Sequence, residues 1–438
     1  MKCFLKWFRL TQMLRPILFT LSLLALAACN SILPSSQPES PTDITETSNY
    51  VYSLSVDIDT SERPEEVSAR YGGDVIVWRP EAGFAVLGLQ TLTDAQSLSA
   101  QSMDSAAIEL NQNQVATPEV LASSVWGEGE NAWSGGENAW SGGENAWSGG
   151  TGVLSEPNLH WQNAWWHINL SGGVALAPRR GSDVKVAVID SGLDLQHPAF
   201  QGRLAPAHEW RDFVDGDAYP QEERSEGGFN GNYGHGTGVA GVVLQVAPNA
   251  TILPLRVLNA DGVGDVTDVA AAIDHALAWG ADVVNLSLGT DEDSDALNQM
   301  IDYAAQRKVF VVASAGNTGD NRVTYPARHA REKGSTSKYL MSVGSVDARN
   351  KLSAFSTYGD ALEVTAPGEY IYTAFPDSQV GFWSGTSFSA PMVSGTLAMI
   401  LGEDKEDKED IAKTLEKVIN AYRYVYLNVR NFVGWTLY

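Results

Sequence analysis

The sequence has 438 residues, 44% of them hydrophobic, with 13 Trp and a formal net charge of −24. That length allows one large domain and a smaller companion, at roughly 100–200 residues per domain, and the apolar content excludes wholesale disorder. The charge excludes nucleic acid as a partner, because phosphate binding relies on Lys and Arg; an acidic surface otherwise bears on solubility, with adaptation to a saline habitat as a further reading.

The chain opens with a basic leader, Lys2, Lys6, Arg9 and Arg15, and an apolar run from Pro16 to Ala28. This is the pattern of a secretory signal, too short for a comfortable transmembrane helix. The run ends Leu26-Ala27-Ala28-Cys29, which resembles the lipobox of bacterial lipoproteins. The resemblance implies a signal peptide over 1–28, cleavage before Cys29 and acylation of its thiol, so that the exported chain is held by a lipid on the extracytoplasmic side of a membrane. Ordinary signal cleavage with Cys29 incidental is the alternative. Cys3 and Cys29 are the two cysteines of the chain, so the exported protein has neither a disulfide framework nor a cysteine metal site. Residues 29–48, rich in Pro, Ser, Thr and Glu, read as a flexible tether.

Over 49–91 the pattern becomes βαββ: Tyr50–Val56 alternates like a strand, Glu65–Tyr71 suits a short helix, and Val75–Trp78 and Ala85–Leu89 are β-rich. Residues 92–153 are predicted to be a linker. Its first part, to about 125, is polar and weakly helical. Its second part repeats Gly-Glu-Asn-Ala-Trp-Ser-Gly with a seven-residue period, carrying Trp133, Trp140 and Trp147. Two glycines per unit defeat a helix, and one Trp per heptad cannot build a coiled coil. Docking of the rings on glycan or on the protein's own surface, and a spacer grown by repeat slippage, both remain open.

From 154 to 438 strands alternate with helices. Lys185–Ile189, Thr251–Val257, Asp282–Ser287 and Val309–Ala313 are continuous apolar strands, while Val266–Ala278, Ser294–Gln306 and about Ile411–Asn420 are helical. Strands apolar throughout predict an α/β fold, a parallel sheet covered by helices on both faces. Functional groups in such folds sit at the C-terminal ends of the strands. Asp190 stands there, in Val186-Ala187-Val188-Ile189-Asp190-Ser191-Gly192. His235 lies between glycines at the head of a small-residue helix, in Gly234-His235-Gly236-Thr237-Gly238. Ser387 starts a helix, in Gly385-Thr386-Ser387-Phe388-Ser389-Ala390-Pro391. Each residue alone has a bland reading as a cap, a packed histidine or a turn; the three settings together do not.

These motifs, in the order Asp, His, Ser, resemble the subtilisin (subtilase) family over roughly 155–420. The resemblance implies a subtilisin-like serine endopeptidase in which Asp190, His235 and Ser387 form a catalytic triad. It further implies that Asn317, in Val311-Val312-Ala313-Ser314-Ala315-Gly316-Asn317, donates its amide to the oxyanion, although Asn-Thr-Gly also suits a turn. Ser287, Leu288 and Gly289 would pair with extended peptide and line one wall of the P1 pocket, with Ser314, Ala315 and Gly316 on the other, favouring an apolar or medium-sized P1 residue. Residues 49–91 then resemble the small α+β inhibitory propeptide of such zymogens, an unrelated α+β module being the other reading. Partners are accordingly polypeptide substrates, the protein's own prodomain as intramolecular inhibitor, and a membrane through Cys29.

The chain also departs from that family. Val243-Leu244-Gln245-Val246-Ala247-Pro248 runs on without the calcium-loop insertion, and Ala199 follows His197-Pro198 where a carboxylate is common. No cofactor is therefore expected; Asp212, Asp215 and Asp217 form either a weak calcium site or a solvated acidic loop. Gly238 replaces a frequent His, with little consequence expected. Glu403–Asp410 is a dense charge run, and the aromatic-rich 422–438 is expected to pack as a terminal segment. A lipid-anchored binding protein using this fold without catalysis is the alternative function, distinguished by its having no need of all four of Asp190, His235, Asn317 and Ser387. A Gly-x-Ser-x-Gly hydrolase requires Ser before Asp before His, which is not the order here. Self-cleavage within 93–155 would part the catalytic domain from its lipid.

Overall fold

The computed structural model describes residues 50–90, 109–112, 115–118, 164–224, 233–331, 338–403, 408–421 and 425–437. The signal peptide and tether expected over 1–48, with Cys29, the Trp repeats and part of the 403–410 charge run, lie outside the described residues.

The first unit contains β1 (Tyr52–Asp57), α1 (Pro64–Tyr71), β2 (Asp74–Arg79), β3 (Phe84–Leu89) and β4 (Glu109–Gln112). They form an antiparallel sheet in the order β2-β3-β1-β4. The βαββ pattern is thus observed, but the helical tendency expected across 91–125 is not what its described residues adopt. Glu109–Gln112 closes the sheet, and β5 (Val115–Pro118) is a further strand. Four residues each, Glu-Leu-Asn-Gln and Val-Ala-Thr-Pro, are too short to show a clear alternation; pairing partners supplied by the rest of the fold decide their conformation.

The remaining elements run in chain order: α2 (Leu170–Leu176), β6 (Lys185–Asp190), β7 (Arg211–Asp212), α3 (His235–Val246), β8 (Thr251–Arg256), β9 (Gly264–Asp265), α4 (Val266–Ala278), β10 (Val283–Leu286), β11 (Leu288–Gly289), α5 (Asp295–Gln306), β12 (Phe310–Ser314), β13 (Leu340–Val346), β14 (Val364–Pro367), β15 (Ile371–Phe375), β16 (Gln379–Trp383), α6 (Thr386–Glu403), α7 (Lys408–Asn420), β17 (Val425–Tyr426) and α8 (Val429–Leu437). Eight strands make one sheet, ordered β17-β14-β13-β12-β10-β6-β8-β7, and every pair in it is parallel. This is the predicted α/β architecture.

Alternation along the strands explains why they are apolar throughout. Val186 and Val188 of β6 join the core beneath α3 and α6, whereas Ala187 and Ile189 join the core beneath α4 and α5. Phe310 and Val312 of β12 divide from Val311 and Ala313 in the same way. With helices on both faces, both side chains of a pair are buried, which favours apolar residues on each. The first unit continues this arrangement. Leu54, Val56, Val67 and Leu87 form its own core, while Val77, Phe84 and Val86 enter the core beneath α4 and α5. At that boundary Arg79 places Nε and Nη2 on the two oxygens of Asp274, both at 2.6 Å, and Tyr303 donates to Glu81 at 2.8 Å.

Helix α6 is buried from Thr386 to Gly402, so its small residues set how closely α3 approaches. A Cβ on Gly395 would lie 2.6 Å from Cβ of Val246 and 3.0 Å from the Val243 carbonyl. Gly395→Val therefore forces two buried helices apart, a cost of about 1–3 kcal/mol. Urea unfolding in a Ser387→Ala background, which suppresses autolysis, should show a lower midpoint; an unchanged midpoint would contradict this packing.

Candidate active site

Three neighbouring strand ends and two helix starts build the site. Asp190 ends β6, the sheet's central region, and is buried; His235 opens α3. His235 Nδ1 lies 2.6 Å from Asp190 Oδ1, which also accepts the Ser191 N–H at 2.8 Å. A carboxylate only accepts, so Nδ1 carries the proton and Nε2 keeps its lone pair. Nε2 has no hydrogen-bond partner among the described residues, although the ring is fully buried. Two glycines permit this approach: Gly192 has φ of 106°, and a Cβ on Gly236 would stand 2.2 Å from the Gly192 carbonyl. The imidazole is held edge-on by Phe388 and Trp383, at centroid distances of 5.4 and 6.1 Å. Trp383 stacks on Phe388 and fills the space beside Gly238, where a Cβ would meet the two rings at 3.0 and 3.1 Å. That packing accounts for a glycine at 238.

Ser387 lies in the first turn of α6, whose leading N–H groups have no intrahelical acceptor and lend the helix end a positive character. Its Oγ donates to the Ser287 carbonyl at 3.3 Å. Pro391 stands four residues on and has no N–H, so the Ser387 carbonyl lacks its ordinary helical donor. Ser287 supplies it: its Oγ donates to that carbonyl at 2.8 Å. Asn285 Nδ2 in turn donates to Ser287 Oγ at 2.9 Å, and Ser394 Oγ donates to Asn285 Oδ1 at 2.8 Å. The Ser287 hydroxyl, expected in a pocket wall, is therefore turned inward to hold the serine-bearing helix; its carbonyl is the part that faces Ser387 Oγ.

Asn317 Oδ1 accepts from the Thr386 N–H at 2.9 Å and from Thr386 Oγ1 at 3.1 Å. A backbone N–H can only donate, which identifies the amide oxygen and leaves Nδ2 on the other side as the donor end. Ser314 and Ala315 are buried, and Gly316 has φ of 112°. Gly316 donates its N–H to Thr386 Oγ1 at 3.3 Å and accepts from the Thr357 N–H at 2.9 Å. Gly316 thus ties this turn to the start of α6 and to Thr357.

Leu288 and Gly289 form β11, which pairs antiparallel with β5, Leu288 opposite Pro118 and Gly289 opposite Thr117. On its other edge β5 pairs antiparallel with β9, Val115 opposite Asp265 and Ala116 opposite Gly264. A strand from the N-terminal unit lies between two short strands that β5 alone joins in this three-stranded sheet.

One group was not singled out in the sequence, where an acid in the Gln221-Glu222-Glu223 stretch reads as surface charge. Glu222 is buried; it accepts from Ser191 Oγ at 2.8 Å and from the Thr237 N–H and hydroxyl at 3.2 and 3.0 Å. Ser191 and Thr237 flank Asp190 and His235, so Glu222 ties together the two segments that carry them. Burial, with the Asp190 charge adding to it against these hydrogen bonds, raises the Glu222 pKa from 4.5 to about 8. Of the acids considered for calcium, Asp212 and Asp215 are instead paired with buried Arg256, at 2.8 and 2.6 Å, and Asp217 accepts the Tyr219 N–H. Among the described residues no group of three or more His, Cys, Asp or Glu is placed to hold a metal ion.

Residues 181–435 match the model of the subtilase family, Peptidase_S8. Thermitase from Thermoactinomyces vulgaris is 35% identical over 269 residues, 56% of this chain and 89% of thermitase. Subtilisin BL from Lederbergia lenta is 37% identical over 229 residues, 50% of this chain and 77% of its own. A thermophilic serine proteinase from Bacillus sp. (strain AK1) is 32% identical over 270 residues, 58% of this chain and 62% of its own.

Ser287→Ala leaves the Ser387 carbonyl buried without its substitute donor, at about 1–3 kcal/mol. It should lower kcat with KM little changed, and Ser287→Thr, which keeps the hydroxyl, should recover part of the loss; equal kinetics in the Ala variant would contradict this role. For Glu222, the folded protein holds a proton that the unfolded chain releases above about pH 4.5. The stability it contributes is therefore lost as pH rises from about 4.5 towards about 8. Urea unfolding of Ser387→Ala with and without Glu222→Gln should show the Glu form losing ground to the Gln form across that window. A difference independent of pH would contradict the assignment.

Proposed function

The chain belongs to the subtilase family and is a serine endopeptidase, and we propose that Asp190, His235 and Ser387 are its catalytic triad, in an exported enzyme made as a zymogen. The observation carrying this reading is the buried 2.6 Å bond from His235 Nδ1 to Asp190, with Nε2 left unprotonated beside the segment that bears Ser387. A serine hydroxyl is a weak nucleophile at neutral pH and needs such a base. His235 Nε2 takes the Ser387 proton as Oγ attacks a peptide carbonyl, then returns it to the departing amine. Asp190 fixes the tautomer and stabilises the imidazolium. The negative charge on the carbonyl oxygen meets the Asn317 Nδ2 donor and the first-turn N–H of Ser387, groups aimed before the reaction begins. Water then attacks the ester by the same route in reverse, regenerating Ser387.

Polypeptide substrates would bind by strand addition along β11 and β9, backbone groups supplying affinity and pockets for alternate side chains supplying selectivity. Leu288 and the small residues Ala315 and Gly316 favour an apolar or medium-sized P1 side chain. The N-terminal unit acts as the intramolecular inhibitor. Its sheet docks on α4 and α5 through Arg79–Asp274 and Tyr303–Glu81, and its β5 pairs with β11 and β9, the edges along which a substrate strand would add. Acylated Cys29 would hold this zymogen at a membrane; no helix among the described residues is long and apolar enough to cross one.

Casein hydrolysis tests the triad, measured on wild type and Ser387→Ala both freed of the N-terminal unit by an added protease. Ser387→Ala should reduce turnover by about 10⁶, the magnitude established for subtilisin itself. Casein cleavage persisting at the wild-type rate in that variant would refute the assignment.

A further inference from the structure

We propose that Trp383 is a positioning residue for catalysis: its indole, admitted by the missing side chain of Gly238, locks the His235 ring to the segment that carries Ser387. The inference rests on the triad reading and adds to it what holds His235 in place.

The hydrogen bonds show why such a residue is needed. The Ser387 hydroxyl donates to the Ser287 carbonyl, and His235 Nε2 has no hydrogen-bond partner among the described residues. No bond between Ser387 and Nε2 therefore fixes the imidazole in this arrangement. Its polar tether is the bond from Nδ1 to Asp190, at one edge of the ring. A ring held at one edge can still pivot about that bond and carry Nε2 away from Ser387. Proton transfer requires hydrogen-bond reach, and a misplacement of about 1 Å can cost about 10²-fold in rate. Packing must supply the second point of restraint.

Trp383 and Phe388 supply it. Their rings stack on each other at 5.1 Å and 22°, and both stand steeply to the imidazole, at 88° and 71°. In the chain they lie four residues before Ser387 and one after it. The wall against which His235 rests is thus built from the same segment as Ser387. Trp383 ends β16, opposite Ile371 of β15. That hairpin is fastened to α3, because Thr373 Oγ1 of β15 donates to the Gly238 carbonyl at 2.8 Å. Gly238 stands three residues after His235 and so shares its face of α3. A Cβ there would lie 3.0 Å from Trp383 Nε1, 3.3 Å from Trp383 Cε2 and 3.1 Å from Phe388 Cε1. A larger side chain at 238 would take the place of the indole. Glycine at 238 and tryptophan at 383 are one device divided between two segments.

The indole N–H indicates that the ring is kept for its breadth. Trp383 is 5% exposed, and its Nε1 has no partner among the described residues. A buried unpaired donor costs stability. A phenyl ring would avoid that cost but would fill less of the space beside Gly238.

Labelling of Ser387 by a fluorophosphonate without a peptide portion tests the role, since the peptide-binding edges do not enter the rate. Each protein is freed of its N-terminal unit by an added protease and labelled far below its own urea midpoint, so that unfolding does not enter either. Trp383→Ala should label more slowly by about tenfold or more. Trp383→Phe, which keeps an aromatic wall, should label within about threefold of wild type. On casein, Trp383→Ala should lose kcat by a similar factor with KM within about twofold of wild type. Gly238→Ala should slow labelling by about threefold or more, and by less in a Trp383→Phe background, where the indole edge is gone. Wild-type labelling in Trp383→Ala, a loss that Trp383→Phe does not recover, a casein effect confined to KM, or equal slowing by Gly238→Ala in both backgrounds overturns the positioning role. His235→Ala keeps the two readings apart. Undiminished labelling in that variant overturns the triad, whereas labelling abolished there but unchanged in Trp383→Ala overturns the role of Trp383 alone.

Discussion

The bond between His235 Nδ1 and Asp190 Oδ1 fixes the rest of the site, because it decides which imidazole nitrogen keeps a lone pair. Its 2.6 Å length depends on a route through the fold. Asp190 must end a central parallel strand, and α3 must begin against it closely enough that only glycine fits at 236. Both cores contribute, since β6 is packed from both faces. Glu222 then closes the arrangement from behind by accepting from Ser191 and Thr237. Ionising Glu222 beside the buried Asp190 is costly, and the hydrogen bonds it receives offset part of that cost.

A second constraint concerns Ser387. Proline inside α6 removes one helical hydrogen bond at Ser387, and the chain from Ser394 through Asn285 to Ser287 restores it from outside the helix. The serine-bearing turn is thereby tied to the end of β10, and the same Ser287 presents its carbonyl to Ser387 Oγ. Helix position and cleft edge are mechanically one unit. The register of β11 is consequently referenced to Ser387.

Much of this was legible in the sequence. The apolar runs of β6, β10 and β12 announce strands packed on both faces, and Val266–Ala278 and Ser294–Gln306 carry helical periodicity strong enough to set their limits to within a residue. The small-residue settings of Asp190, His235 and Ser387 mark strand and helix ends that bring polar groups together. Other features had no local signal. Glu109–Gln112 and Val115–Pro118 are too short to carry a periodic signal and become strands because distant segments offer them edges. Glu222 reads as surface charge beside Glu223 until the fold closes over it. The hydroxyl of Ser287 points inward because Pro391, far along the chain, leaves a carbonyl unpaired, and Asp212 and Asp215 face a buried Arg256 that their own neighbourhood does not reveal.

The account stands on a base at His235 activating Ser387, and covalent capture measures that most directly. Protein freed of its N-terminal unit by an added protease, treated with a fluorophosphonate and digested for mass spectrometry, should carry the adduct on Ser387 Oγ, with labelling abolished in His235→Ala freed the same way. An adduct on another serine, or undiminished labelling of Ser387 without His235, would contradict it.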